Sequence, residues 1–326
     1  MKKTLTFIDL FSGIGGFHLA VKTVAASLGI KVQCVLASDI DKAARESYES
    51  NFGIEPIGDI TKYPAKAVPE HDLLLAGFPC QAFSIIGDRM GFKDTRGTLF
   101  FDIARVLAEK KPSGFVLENV KQLRGHDGGR TLSVILATLG ELGYDVDYNV
   151  LNALDFGLPH KRERIFIVGW RGELKFDWNF ENIPMQPLSD LLEKDVDETF
   201  FASKHIRQRR GERVKTKSLG NNCPTIWHEN KSGNIGVYEY SCALRAGASY
   251  NYLLVNGERR LTPREMLRLQ GFPEHFQITH SYTTMRRFLG NSLPVPVANA
   301  VIYKLLELNE MKRDGKKNRA KASKTC

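Results

Sequence analysis

Apolar runs of strand length alternate with amphipathic helical stretches through the first half of this 326-residue chain, and that alternation restricts the fold more than any other feature. "LTFIDLF" reads as a strand and "HLAVKTVAASLG" as a helix closed by glycine. "VQCVLASDID" and "KAARESYESNF" repeat the pair, and "DLLLAGF", "TLFFDIARVLAEKK", "GFVLENV" and "RTLSVILATLGELG" extend it. Strands joined by helices pack as a mostly parallel α/β sheet, doubly wound with helices on both faces. In that architecture ligands bind beyond the carboxyl ends of the strands. Two unusual loops stand at such ends: "SGIGGF" after the first strand, and "GFPCQAFS" after "DLLLA".

With 42% hydrophobic residues the chain has material for one large domain and a smaller second one. No run of eighteen apolar residues occurs, and "MKKTLTFIDLF" is too short and too soon acidic for a cleaved signal peptide, so the expected location is the cytoplasm. Five cysteines, Cys34, Cys80, Cys223, Cys242 and Cys326, show no paired spacing; neither a disulfide frame nor a metal cage is expected. Packing is the reading for Cys223 and Cys242. The net charge of +9 is concentrated: residues 202–218 and 312–326 each carry seven Lys/Arg against one acid, leaving the remainder at −3. Two basic blocks on a mildly acidic body suit a polyanion, because phosphate neutralisation releases condensed counterions.

In "TFIDLFSGIGGF", Gly13, Gly15 and Gly16 occupy the first strand-to-helix turn, where missing side chains let the backbone approach a ligand. Asp39 ends the second strand 23 residues past Gly16, where a carboxylate accepts from both ribose hydroxyls. Asp59 offers a further acceptor, suited to an adenine amino group. The spacing alone fits a dinucleotide, a flavin or S-adenosylmethionine.

Cys80 follows Pro79, which stiffens the turn, and precedes a loop with Gly87, Gly91 and Gly97 as hinges. A thiol there reads as a nucleophile rather than a core residue, provided its pKa is lowered or a base stands near.

In order along the chain, "FIDLFSGIGGF", "GFPCQAFS", "LENV", "HKRERIFIVG", "RRLTPREMLRLQGFPEHF" and "FLGNSLPVPVANAV" resemble the motifs of the DNA (cytosine-5) methyltransferases, the compact bacterial restriction-modification enzymes above all. The resemblance runs from Thr6 to about Val301. It implies a Rossmann-like class I methyltransferase fold, residues 1–175 with 286–326, closed by the C-terminal helix, and a smaller, mainly β or irregular target-recognition domain with its hinge, 176–285. It implies S-adenosylmethionine as cofactor, no metal, double-stranded DNA as partner, a restriction endonuclease as separate companion, and a monomer.

What the resemblance implies for single residues follows the chemistry. Cys80 adds to carbon 6 of cytosine, making carbon 5 nucleophilic, and Glu118 of "LENV" protonates the ring nitrogen. That role needs a raised pKa, which the end of an apolar strand favours. Arg162 and Arg164, two apart in a strand-like run, point to one face while Glu163 points to the other. Arg164 is expected at the pyrimidine carbonyl, and Arg162 at Cys80 or a phosphate. For the cofactor, Phe11 stacks near adenine, Gly13, Ile14 and Gly16 line the turn, Asp39 and Ile40 hold the ribose side, Asp59 and Ile60 the adenine. Pro79 and Leu99 line the methionine end, and Asn291 returns from far along the chain.

Gln81, Ser84 and Arg96 from the loop after Cys80, with Arg207, Arg209, Arg210, Lys215 and Arg245, are the expected DNA contacts. Asn221, Asn222, His228, Asn230 and Arg245 are candidates for reading base edges in the major groove. His160 stands where many family members have glutamine, and Ala243-Leu244 where many have Thr-Leu. The Cys-Phe-Thr signature of transfer-RNA-methylating relatives is absent, and the presence of Cys80, Glu118, Arg162 and Arg164 argues against a silent DNA-binding homologue.

Overall fold

The computed structural model describes residues 4–79, 99–173, 175–214 and 223–322, with side chains in the last helix described through residue 308. The first region runs β1 (Leu5–Leu10), α1 (Gly16–Leu28), β2 (Val32–Ser38), α2 (Lys42–Phe52), β3 (Leu73–Gly77), α3 (Leu99–Lys110), β4 (Gly114–Val120), α4 (Arg130–Glu141), β5 (Asp145–Asn152), β6 (His160–Lys161) and β7 (Glu163–Trp170). The rest is α5 (Lys204–Arg213), β8 (Ile226–Glu229), β9 (Ile235–Tyr238), β10 (Ser241–Cys242), β11 (Leu253–Val255), α6 (Pro263–Leu269), α7 (Tyr282–Asn291) and α8 (Val295–Ala322).

Six strands form the main sheet in the order β2-β1-β3-β4-β7-β5, all parallel except β7, which runs antiparallel to both its neighbours. Strand alternation sends successive side chains to opposite faces. Phe7, Leu73, Leu75, Val116, Phe166 and Val168 face one core, shared with α1 and α8. Ile8, Leu74, Phe115, Leu117, Ile165 and Ile167 face the other, shared with α3 and α4. Each such fully buried side chain contributes about 1.5–3 kcal/mol, which holds the sheet edge still under the loops it carries.

Local chemistry sets the element ends. Gly29 and Gly53 close α1 and α2 in the left-handed conformation, while Asp41 caps α2 by accepting from Ala43 and Ala44. Thr262 and Glu265 form a reciprocal capping box on α6.

Three expectations change. β5 is not among the expected strands; its Val146, Tyr148 and Val150 alternate with polar residues and pack on the α3/α4 core, and it pairs along its whole length with β7 at the sheet edge. "HKRERIFIVGW" is not one strand; it breaks at Arg162 into β6, which pairs with β10, and β7. The final helix is longer than "VANAVIYKLLELN", and its buried Val297, Val301, Ile302 and Leu305 lie in the same core as α1.

Beyond β7 the strands are short. β11, β8 and β9 make a three-stranded sheet, and the core they bury through Ile226, Leu253 and Val255 is continuous with the α1/α8 face.

Candidate active site

A cavity of about 630 Å³ opens at the carboxyl edge of the main sheet. Its wall is built from the exits of β1, β2, β3 and β4, joined by the start of β7 and the junction of α7 with α8. Antiparallel β7 is what makes this set complete, because its reversed direction brings Arg164, its second residue, beside the end of β4, where it pairs with Val120.

At the exit of β1, Phe11 takes a left-handed backbone with φ 55° and lines the cavity. Left-handed geometry costs a residue with a side chain about 1–2 kcal/mol, so the turn is held by its surroundings. Gly13 (φ 53°) and Gly15 (φ 88°) continue the turn, and Gly13 N–H donates to Asp39 Oδ2 at 2.8 Å. The other oxygen, Oδ1, accepts from Asp41 N–H at 2.8 Å. Asp39 is thus aimed by two amides while each oxygen keeps a lone pair. Burial raises its pKa, against the pull of those amides. Ser12 lines the cavity, and its buried Oγ has no hydrogen-bond partner among the described residues. Ile14, Gly16 and the 76% exposed Ile40 complete this side.

Beneath the turn lies a buried polar group that stays neutral. His18 Nδ1 is 2.7 Å from Tyr48 Oη, and burial takes the imidazole down to about 3. Asp9 is fully buried and raised, and burial takes the Cys34 thiol up to about 12.

At the exits of β3 and β4, Glu118 is 7% exposed and lines the cavity with Pro79. Arg164 Nε stands 2.9 Å from Glu118 Oε1 in a buried ion pair. Burial pushes the Glu118 carboxyl up and outweighs the opposing charges of Arg164 and Arg162. A buried carboxyl with a raised pKa therefore faces the cavity. Asn119, which sequence reasoning passed over, donates through Nδ2 to Phe78 O at 2.9 Å and ties the exit of β3 to β4. A buried amide next to a buried acid was the available signal.

Arg162 and Arg164 do not share a target. Arg162 is fully buried and donates to Leu244 O at 2.9 Å, Gly290 O at 3.0 Å and Ser292 O, so it clasps backbone rather than reaching the cavity. The break between β6 and β7 is what parts them.

Leu99 and Asn291 line the cavity, but Asp59 and Ile60 do not. Asp59 instead caps a short turn, accepting from Thr61 N–H at 3.0 Å and Thr61 Oγ1 at 2.7 Å. Arg287, another residue missed in sequence, lines the cavity and ion-pairs with Asp41, joining α7 to the cap of α2.

Among the expected DNA contacts, Arg207, Arg209 and Arg245 are exposed. Arg210 is not: it is 1% exposed and donates to Glu229 Oε2 at 2.8 Å and to Asn251 O, so it is a core clasp and no phosphate contact. Asn230 Oδ1 accepts from Ser232 and Asn234 amides and shapes the β8–β9 turn. His228 is half-buried, edge-on to Tyr252. Cys223 is exposed, contrary to the packing expected of it, and Cys242 is half-buried against the core. Cys80, Gln81, Ser84, Arg96, Lys215, Asn221 and Asn222 lie outside the described residues.

Among the described residues no group of three or more His, Cys, Asp or Glu side chains is placed to hold a metal, and no helix is long and apolar enough to cross a membrane. Residues 5–307 match the family model for C-5 cytosine-specific DNA methylases. The chain is 52% identical over 295 residues to the type II methyltransferase M.NgoBI of Neisseria gonorrhoeae, covering 90% of each chain. It is 51% identical over 296 residues to the type II methyltransferase M.HaeII of Haemophilus aegyptius, again 90% of each. The solved Dnmt2 methyltransferase of S. pombe superposes with a TM-score of 0.70 at 24% identity, covering 93% of this chain and 98% of that one, which shows the shared fold. With a glycine turn and carboxylate at one end of its cavity and a buried Glu–Arg pair at the other, this chain belongs to the C-5 cytosine-specific DNA methylase family and is a DNA (cytosine-5) methyltransferase.

Proposed function

We propose that Cys80, Glu118 and Arg164 perform the chemistry at a cytosine extruded from duplex DNA, in a modification enzyme of a restriction-modification system or a solitary counterpart. One observation carries this reading: raised, buried Glu118 faces the same cavity as Pro79, the residue before Cys80. Extrusion is required because no side chain reaches carbon 6 inside a stacked duplex, and it costs a few kcal/mol.

The Cys80 thiolate forms a bond to carbon 6 while the Glu118 proton passes to ring nitrogen 3, so electron density collects at carbon 5. S-adenosylmethionine, when bound, supplies the methyl group that carbon 5 takes. S-adenosylhomocysteine is the leaving group; water then takes the carbon 5 proton as the thiolate leaves carbon 6, and ring nitrogen 3 returns its proton to Glu118, which restores the ring and the enzyme. Arg164 holds Glu118 and, through its remaining guanidinium nitrogens, suits the pyrimidine carbonyl. Arg162 acts only as a backbone clasp.

The turn fits the cofactor's adenosyl part on this structure's own terms. Gly13 faces open space, Ser12 Oγ lacks a partner among the described residues, and Asp39 retains lone pairs for two hydroxyls. Phe11 and Ile40 flank it with apolar surface, while Asn291 and Leu99 close the methionine end.

The test has two stages. Bisulfite sequencing of DNA from cells expressing the protein identifies the methylated cytosine. A duplex with fluorine at carbon 5 of that cytosine then traps the enzyme, since fluorine does not leave as a cation. The adduct survives denaturing electrophoresis, depends on S-adenosylmethionine and maps to the peptide containing Cys80. Methylation without an adduct, or a label on Cys223 or Cys242, refutes the mechanism.

A further inference from the structure

The peptide of Leu244 is gripped from both sides. Its N–H donates to His160 Nε2 at 3.2 Å, and its carbonyl accepts from Arg162 Nη1 at 2.9 Å. His160 is fully buried, and its Nδ1 stands 3.0 Å from Leu269 O at the end of α6. Satisfying a carbonyl on one nitrogen and an amide on the other requires the neutral ring with its proton on Nδ1. A glutamine side chain offers the same pairing of donor and acceptor.

What the grip holds is the turn after β10. Arg162 reaches on to Gly290 O and Ser292 O, so Leu244 is tied to the α7–α8 junction that lines the cavity. Gly290 is required there: a Cβ on it would strike Ala246 N and Arg245 C. The next residue, Arg245, is exposed, stands 4.8 Å over the Tyr252 ring, and has its own N–H held by Tyr252 Oη at 2.9 Å. An exposed arginine held at both its backbone and its ring contact loses little freedom on meeting an anion.

We propose that His160 is a positioning residue for DNA: through the Leu244 peptide it sets Arg245, whose backbone packs on cavity-lining Gly290, so that the exposed guanidinium takes a backbone phosphate of the bound duplex. This rests on the reading of the chain as a duplex-DNA enzyme with Arg245 among its DNA contacts. Charge supports it. The charged groups acting on the ring are Arg162 and Arg164, and the packed segments present the Leu269 carbonyl and the Leu244 amide, so a second proton on the ring would face an N–H donor and two cations. Burial and those cations keep the ring neutral. Below about pH 6.5 a released imidazole takes up a proton that the clasped one refuses, so the clasp weakens by up to about tenfold per pH unit.

The experiment compares His160→Gln, His160→Leu, Arg245→Ala and the His160→Leu/Arg245→Ala double variant, each full length. The readouts are calorimetric S-adenosylmethionine affinity, KM for duplex DNA, kcat, and DNA KM at pH 7.5 and 5.5. His160→Leu and Arg245→Ala each raise DNA KM about tenfold or more with cofactor affinity within twofold, and the double variant is no worse than either. Glutamine brings KM back to within about threefold of the unaltered protein and removes the rise on acidification. Equal losses of cofactor and DNA affinity in His160→Leu, additive losses in the double variant, or a glutamine variant as impaired as leucine would each overturn the proposal. Should His160→Leu not fold, the glutamine variant's acid response still decides. Failure of the unaltered protein to bind duplex DNA would instead sink the functional reading beneath it.

Discussion

The sheet of residues 5–170 and the region between β7 and α8 solve the same problem in different ways. In the sheet, continuous strand ladders pair the backbone groups and apolar faces exclude water. In the second region strands are two to four residues long, and many carbonyls have no ladder partner. Arginines take their place. Arg162 donates to Leu244, Gly290 and Ser292, Arg286 to Ala248 and Ser249, Arg264 to Pro273 and Phe276, Arg268 to Leu191, and Arg210 to Asn251. Arg259 meets Glu265 in a fully buried two-point pair. A guanidinium carries five donors in a rigid fork, which suits irregular backbone better than any other side chain. The lesson is that a basic sequence block is not a map of a DNA-binding surface: part of that charge is internal scaffolding.

The chemistry should fall entirely on the sheet side of this division. Cys80→Ser is expected to lower turnover by at least about 10⁴-fold, because the hydroxyl stays protonated at working pH, while calorimetric cofactor affinity stays unchanged. Residual turnover within tenfold of the unaltered enzyme would move the nucleophile elsewhere.

Next in size is stability. Leu75→Ala opens a cavity in the sheet core and should cost about 2–5 kcal/mol. Arg259→Met leaves Glu265 buried and unpaired and should cost about 3–5 kcal/mol, as much as a core leucine. Denaturant titration compares them. An Arg259→Met cost under about 1 kcal/mol would show that polar clasps do not carry the second region.

A smaller effect belongs to the cofactor end of the cavity. Asp39→Ala should weaken S-adenosylmethionine binding about ten- to hundredfold, the worth of charge-assisted hydrogen bonds. Since burial raises the Asp39 pKa, and only the carboxylate accepts from two hydroxyls, affinity should also fall as pH is lowered, beginning at a higher pH than an ordinary aspartate would give. Calorimetry across pH checks both, and an unchanged acid limb in Asp39→Ala would break the assignment.

The smallest expected effects separate surface arginines from scaffold arginines. Arg207→Gln and Arg209→Gln should each flatten the salt dependence of DNA binding by roughly one unit of slope while leaving stability within about 0.5 kcal/mol. Removing Lys316 to Cys326 should leave the methylated sequence unaltered in bisulfite reads. A tail deletion that changes the pattern would give that segment a reading role.

The sheet elements, the glycine turn and the carboxylate at Asp39 were legible in the linear chain because periodicity, turn chemistry and strand-end position are local properties. The six ordered motifs carried the family, and Glu118 was marked by the apolar strand it ends. Other assignments waited on the fold. Arg162 and Arg164 look equivalent two residues apart, yet one clasps carbonyls 82 and 128 residues away and the other pairs with Glu118 across the β4–β7 boundary. Arg210 reads as a member of a basic run and is buried on Glu229. His160, a departure without evident meaning in sequence, receives its donor and acceptor from Leu269 and Leu244. For Arg162, Arg164, Arg210 and His160 the physical reason is common: a polar side chain goes where an unpaired partner is left, and which partners are left unpaired is decided only when distant segments meet.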